Sequence, residues 1–244
     1  MKIVLISILS VLFSFFAFSQ KARVIAVQKS NSAYHYLLYL PENYDQDTSY
    51  KWPVFIFLHG RSLSGTDLKR VRRYGFINEV DRGKSFPALI IAPQVKKSES
   101  WNPDKVIACL DEVIKTYRVD TDRVSISGMS LGGYGTLYTA GKYPGKFCAA
   151  AAFCGGGRIE DAANLAKIPL WIAHGMLDRA VPFSESEVIV RRIKEISDTN
   201  LKFTVFEKYG HRELAWMFMK NELVDFLLKN TRGKLAFFPD FSGN

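Results

Sequence analysis

Arg123-Val124-Ser125-Ile126-Ser127 followed by Gly128-Met129-Ser130-Leu131-Gly132-Gly133 is the stretch on which the fold turns. Residues 123–127 read as a strand and residues 131–142 as a helix. A strand that becomes a helix within three residues must turn sharply, and the residue at the apex takes strained dihedrals. Its near neighbours must then be small, and Gly128 and Gly132 supply that. The turn lifts the Ser130 side chain above the carboxyl edge of the sheet. It also aims the first amides of the following helix at the same point.

Outward from this turn the chain alternates. Residues 22–29 and 33–40 are β-rich, with Ser30-Asn31-Ser32 between them, and read as an antiparallel hairpin ended by Pro41-Glu42-Asn43-Tyr44-Asp45. Residues 54–58 and 88–92 are short continuous apolar runs, as expected of strands buried on both faces. Further strands are expected at 149–153, 169–173 and 201–206. Helical patterns lie between them at 105–117, 131–142, 184–196 and 213–228. The first places Val106, Cys109, Leu110, Val113 and Tyr117 on one face. This alternation predicts an α/β fold, a mostly parallel central sheet with an N-terminal antiparallel hairpin and helices on both faces. With 244 residues, 48% hydrophobic and 23% charged, the chain is not disordered, collagen-like or a coiled coil. Residues 20–244 are expected to form one domain.

A serine hydroxyl is a weak nucleophile and needs a base, usually histidine, oriented by a carboxylate. Of the four histidines, His35 lies on the hairpin, while His59 and His174 each follow an apolar strand and precede glycine. His211 falls in Lys208-Tyr209-Gly210-His211, between the last strand and the last helix. Asp178 follows the 169–173 strand, in His174-Gly175-Met176-Leu177-Asp178. Serine, acid and histidine then come in one chain order on loops at one sheet edge, so Ser130, Asp178 and His211 are the expected catalytic triad. Asp198 comes at the end of a helix before the last strand, which puts it at the opposite edge. The loop His59-Gly60-Arg61-Ser62 should supply a second amide for a developing oxyanion. Gly60 allows close approach, so the Arg61 amide is paired with that of Leu131, and His59 is expected to orient the loop by hydrogen bonds. Gln94, Trp101 and Trp216 are candidates to line a substrate pocket.

The first nineteen residues carry one charge, Lys2, then an apolar run, then Ala17-Phe18-Ser19. This is the layout of a secretory signal peptide over residues 1–19, so the mature protein is expected to be exported, periplasmic or secreted, without stable membrane insertion. The net charge is +9, densest at Lys69, Arg70, Arg72 and Arg73. With no nucleic-acid motif or aromatic-interleaved basic stripe, that run reads as a solvated face and no nucleic-acid partner is expected. Three cysteines make no disulfide framework, and Cys148 and Cys154, six apart on one strand, should not pair. No Cys/His spacing suggests a metal site, and Gly155-Gly156-Gly157 lacks the Lys-Ser/Thr of a phosphate loop. No cofactor is expected.

These motifs, in order, resemble the α/β-hydrolase superfamily. More closely the chain is similar to bacterial exported esterases often labelled predicted peptidases, related to polyhydroxyalkanoate depolymerases, feruloyl and acetylxylan esterases and dienelactone hydrolases. The matching pieces include Leu40-Pro41-Glu42-Asn43-Tyr44, Phe57-Leu58-His59-Gly60, Ala92-Pro93-Gln94, Trp101, Val119-Asp120-Thr121-Asp122-Arg123, the Ser130 turn, His174 to Asp178 with Val181-Pro182, and Gly210-His211. The resemblance implies an exported serine ester hydrolase working through an acyl-enzyme on a small-molecule, aryl or carbohydrate-linked ester. Its alternatives are a serine peptidase on the same triad or a non-catalytic binding protein of the same fold. Arg61 stands where such relatives often carry a small residue, which would bring a guanidinium to the mouth and favour acidic substrates. No lid insertion is evident.

Overall fold

A strand that is apolar on both sides must be covered on both sides, and the arrangement of this chain follows from that need. The computed structural model describes residues 22–28 and 33–240. The strands are β1 (Arg23–Val27), β2 (His35–Leu40), β3 (Trp52–Leu58), β4 (Leu89–Gln94), β5 (Val119–Met129), β6 (Ala149–Phe153), β7 (Leu170–Gly175) and β8 (Leu201–Phe206). The α-helices are α1 (Phe76–Asp81), α2 (Pro103–Thr116), α3 (Leu131–Lys142), α4 (Ala162–Leu165), α5 (Ser184–Lys194) and α6 (Asn221–Lys229). The eight strands form one sheet in the order β1-β2-β4-β3-β5-β6-β7-β8. β1 and β2 are antiparallel, β2 is antiparallel to β4, and the other pairings are parallel.

Alternate residues of each central strand enter two separate cores. Val54, Ile56 and Leu58 of β3 pack with Val106 of α2, Leu137 of α3, Leu165 of α4 and Ile189 of α5. Phe55 and Phe57 point the other way, into a cluster with Phe76 of α1, Phe218, and Phe226 and Leu227 of α6. Among the described residues no helix is long and apolar enough to cross a membrane. The N-terminal segment expected to be a signal peptide, and the Ser30-Asn31-Ser32 turn, lie outside the described residues.

One expectation needs correction. The helix expected over 213–228 is broken: residues Arg212–Met219 form a 3₁₀ helix, Lys220 is extended, and α6 starts anew. Leu214, Met217 and Phe218 make one apolar stripe. Leu223, Val224, Phe226 and Leu227 make a second that is displaced by roughly half a turn, so one continuous helix would expose one of them. The segment between β3 and β4, for which no element was expected, is not a plain loop. It holds α1 and two 3₁₀ helices, Arg61–Leu63 and Leu68–Arg73, that carry no helical period long enough to read. The basic run lies on the second of these, where Lys69 and Arg73 face solvent, Arg72 pairs with Asp81, and Arg70 donates to the Ser62 carbonyl at 2.8 Å.

The chain leaves β3 toward β4 on one side, and β5 lies on the other. Such a reversal opens a crevice at the carboxyl ends of the two strands. Leu58 of β3 is in register with Gly128 of β5, so the loop after β3 and the turn after β5 emerge side by side. The packing there is tight: a Cβ on Gly132 would stand 1.8 Å from the Leu58 carbonyl oxygen. Gly132→Ala is therefore expected to cost more than about 3 kcal/mol, because the obstacle is backbone. Gly145 is the control, since a Cβ added there would meet nothing within 4 Å. Urea denaturation of the two alanine variants makes the comparison.

Candidate active site

Ser130 stands at the end of β5 with φ 60° and ψ −124°, a left-handed conformation that costs a non-glycine residue about 1–3 kcal/mol. The surroundings enforce it. Its amide donates to the Phe153 carbonyl at the end of β6 at 2.8 Å, and its carbonyl accepts from the Tyr134 amide at 3.1 Å. Leu131 opens α3 and Arg61 opens the first 3₁₀ helix, so neither amide has a partner within its own helix. The register of β3 with β5 sets these two openings next to each other.

The loop after β3 is held from below. His59 is fully buried; the Val95 amide donates to its Nε2 at 3.3 Å, which leaves the ring proton on Nδ1, 2.8 Å from the Gly60 carbonyl. Burial, with Arg70 and Arg61 nearby, pushes this imidazole down to about 4, so it is neutral in ordinary conditions. Gln94 and Trp101, expected to line a pocket, instead support this loop. Gln94 is buried, and its Nε2 donates to the carbonyls of Leu63 and Asp67, each at 2.9 Å. Trp101 is also buried, and its indole N–H donates to the His59 carbonyl at 3.1 Å. The Arg61 side chain, which the resemblance would bring to the mouth, is tied down as well. Its Nη1 donates to the carbonyls of Lys97 and Glu99, both at 2.7 Å, so the guanidinium ties two loops together.

Across the edge, β7 ends at Gly175 and the chain turns into Asp178. One carboxylate oxygen accepts the amides of Ala180 and Val181 at 2.8 Å each. The other lies 2.6 Å from His211 Nδ1 and 3.3 Å from His174 Nε2. The Asp178 side chain is out of contact with solvent, while that of His211 is 19% exposed. Burial opposes ionisation of Asp178, but the amides of Val181 and Ala180 and the contact with His211 outweigh it and hold the carboxyl below its usual range. The two loops are tied by the Leu177 amide donating to the Tyr209 carbonyl at 3.0 Å. Among the described residues no hydrogen bond joins Ser130 to His211, as is common before a substrate is bound.

Two further residues behind Asp178 were not singled out as site residues from the sequence. Cys154 follows Phe153, has φ 48°, and turns its thiol toward Asp178; burial first and that carboxylate second push the thiol up. His174 is buried, with Nδ1 2.7 Å from Ser186 Oγ and Nε2 3.0 Å from the Val181 carbonyl, and burial pushes its imidazole down. Donor atoms of Cys154, His174 and Asp178 lie within 4.8 Å of one another, the one such potential metal-ligand trio among the described residues. All three side chains are already engaged with each other and with backbone, and the carboxylate also holds His211, so the trio acts as the support of that carboxylate. Asp198 lies in an exposed turn before β8, at the far edge. Trp216, half-buried, lines a cavity of about 320 Å³ with Tyr209, Glu213 and Lys220, on the flank of the His211 loop.

The model of the family described as "Putative esterase" matches residues 28–232. The bifunctional acetylxylan esterase/xylanase XynS20E of Neocallimastix patriciarum is 28% identical over 103 residues, 42% of this chain and 15% of that protein. A solved thermostable esterase has a TM-score of 0.72 at 25% identity, covering 87% of this chain and 64% of its own. This chain thus spans less than two thirds of either relative. A ferulic acid esterase, at 18% identity and a TM-score of 0.66 over 87% of this chain and 99% of its own, shares the fold. Since the family match runs from β2 through the end of α6, this chain belongs to that esterase family and has the α/β-hydrolase fold.

Proposed function

We propose that the protein is an exported serine ester hydrolase that works through an acyl-enzyme, with Ser130 as nucleophile, His211 as general base and acid, and Asp178 as its orienting carboxylate. The observation that carries this reading is the 2.6 Å contact of His211 Nδ1 with Asp178, on the sheet edge where the strained turn presents Ser130. With Nδ1–H committed to Asp178, Nε2 is left as the acceptor for the serine proton. Ser130 Oγ attacks the ester carbonyl carbon, and the proton passes to Nε2. The amides of Arg61 and Leu131 receive the charge that develops on the carbonyl oxygen. His211 then returns the proton to the leaving alkoxide, and water repeats the sequence on the acyl-enzyme.

The substrate class is an aryl ester or an acylated carbohydrate. That reading is supported by the acetylxylan and ferulic acid esterases among the relatives and by the aromatic cavity at Tyr209 and Trp216. Export rests on the charged, apolar and small-residue layout of residues 1–19. A rate comparison of p-nitrophenyl acyl esters with peptide anilides tests ester against peptide hydrolysis. Faster turnover of the anilides would replace the esterase reading with a peptidase on the same residues.

Ser130→Ala should fold normally and lose on the order of 10⁴-fold in kcat, keeping what oxyanion stabilisation alone provides. Retention of a tenth of the activity would remove Ser130 from the chemistry. Asp178→Asn should lose on the order of 10⁴-fold, whereas Asp198→Asn should leave kcat/KM unchanged; equal losses would unseat Asp178. The pH profile follows from the charge states. Asp178, held below its usual range, stays ionised down to acid pH, and His59, at about 4, is neutral before neutrality is reached. A base that must be neutral then leaves one ascending step in kcat/KM, with a plateau above it. A neutral aryl ester at fixed ionic strength is the substrate for this measurement. A rate that falls from about pH 5 to 8 would rule out His211 as the base.

A further inference from the structure

The Gly60 amide, in the loop after β3, turns away from its backbone neighbours and into a side chain. It donates to the phenolic oxygen of Tyr74 at 2.5 Å. Tyr74 follows the 3₁₀ helix Leu68–Arg73, and its ring is wedged between Phe57 of β3 at 5.7 Å and Phe218 at 6.5 Å between centroids. The hydroxyl lies at the site itself. The position that a Cβ on Gly60 would take is 3.0 Å from Tyr74 Oη and 3.2 Å from Ser130 Cβ. A larger residue at position 60 would therefore stand between the phenol and the serine, and glycine keeps that space open.

A phenol has one proton to give and lone pairs to accept with. Here a lone pair is taken by the Gly60 amide, and among the described residues the proton is given to no acceptor. Accepting from an amide polarises the O–H bond and makes it a better donor. Burial pushes the phenol up to about 12, so it keeps its proton through the neutral range. Arg61, whose amide is the expected oxyanion donor, is the very next residue after Gly60.

We infer that the Tyr74 hydroxyl is a further catalytic residue: a side-chain donor to the oxyanion, placed beside the amides of Arg61 and Leu131 and strengthened by the Gly60 amide behind it. The inference rests on the serine esterase reading. As Ser130 Oγ bonds to the carbonyl carbon, the carbonyl π pair moves onto its oxygen and the serine proton moves to His211. Tyr74 donates a hydrogen bond to that oxygen and keeps its own proton. When the intermediate collapses, the oxygen regains its double bond, the C–O bond to the alcohol breaks, and the proton on His211 goes to the leaving oxygen.

Tyr74→Phe keeps the ring between Phe57 and Phe218 and removes the hydroxyl, both as a donor and as the acceptor of the Gly60 amide. Loss of one preorganised donor should lower kcat for an aryl ester by about 10²-fold and leave KM within a few-fold. The decisive readout is spectroscopic. An aryl trifluoromethyl ketone labelled with ¹³C at its carbonyl forms a hemiketal with Ser130, and the ¹³C shift reports when its oxygen ionises. In Tyr74→Phe this ionisation should move up by about one pH unit or more. With 3,5-difluorotyrosine at position 74, a stronger donor of nearly the same shape, it should move down. That second variant decides the matter if Tyr74→Phe fails to fold. An unmoved hemiketal titration, whatever happens to kcat, would reduce Tyr74 to a loop support and overturn the inference alone. Failure of the unsubstituted protein to form the hemiketal would instead overturn the serine esterase reading, and the inference with it.

Discussion

The organising constraint is a close approach of backbone to backbone. The start of α3 lies against the end of β3 so tightly that Gly132 admits no side chain in front of the Leu58 carbonyl. That approach follows from the parallel pairing of β3 with β5, which sets Leu58 beside Gly128. Once those strands are paired, two chain segments leave the sheet at the same height, and the amides of Arg61 and Leu131 are neighbours by construction. The strain at Ser130 is maintained from a third strand, because the Phe153 carbonyl of β6 accepts its amide. Three strand ends thus hold one turn, and none of them depends on a flexible side chain.

The base side of the site is organised by charge rather than by contact distance. A buried carboxylate is costly unless its lone pairs are filled. Around Asp178 they are filled by two backbone amides, by His211 and by the flanking His174. The same burial that demands these partners also favours neutral forms of His59 and His174. Histidine therefore appears three times at this edge in different settings: two rings hold loops, and the third, His211, is partly open to solvent and is the proposed base.

The sheet and the turn that presents Ser130 were legible because each left a local mark. Apolar runs of five or six residues announced the parallel strands, and Gly128 and Gly132 announced the turn. Chain order then selected Asp178 over Asp198 before any distance was known. The failures share a cause as well. The 3₁₀ helices and α1 are too short to show a period, and the two stripes within 213–228 looked like one because a break at Lys220 needs no glycine or proline. Gln94 and Trp101 are residue types that suit a pocket, but depth is a property of the packed sheet, and both lie beneath the loop rather than in front of it. Tyr74 lies in no motif at all. Its position depends on how Phe57 and Phe218 clamp its ring, and Phe218 lies far away in sequence.

The three cysteines carry a separate consequence. All are buried and none is in a disulfide, with Cys109 on α2 and Cys148 and Cys154 flanking β6. Disulfide exchange and oxidation proceed through the thiolate, and the protein suppresses it: burial pushes Cys148 up to about 11 and Cys154 higher still. A chain with an odd number of thiols is at risk of mispairing between molecules wherever oxidants are present. Here that risk is confined to the unfolded chain, because folding removes all three sulfurs from solvent and holds Cys148 and Cys154 as thiols. The folded protein can therefore tolerate an oxidising medium without a single disulfide.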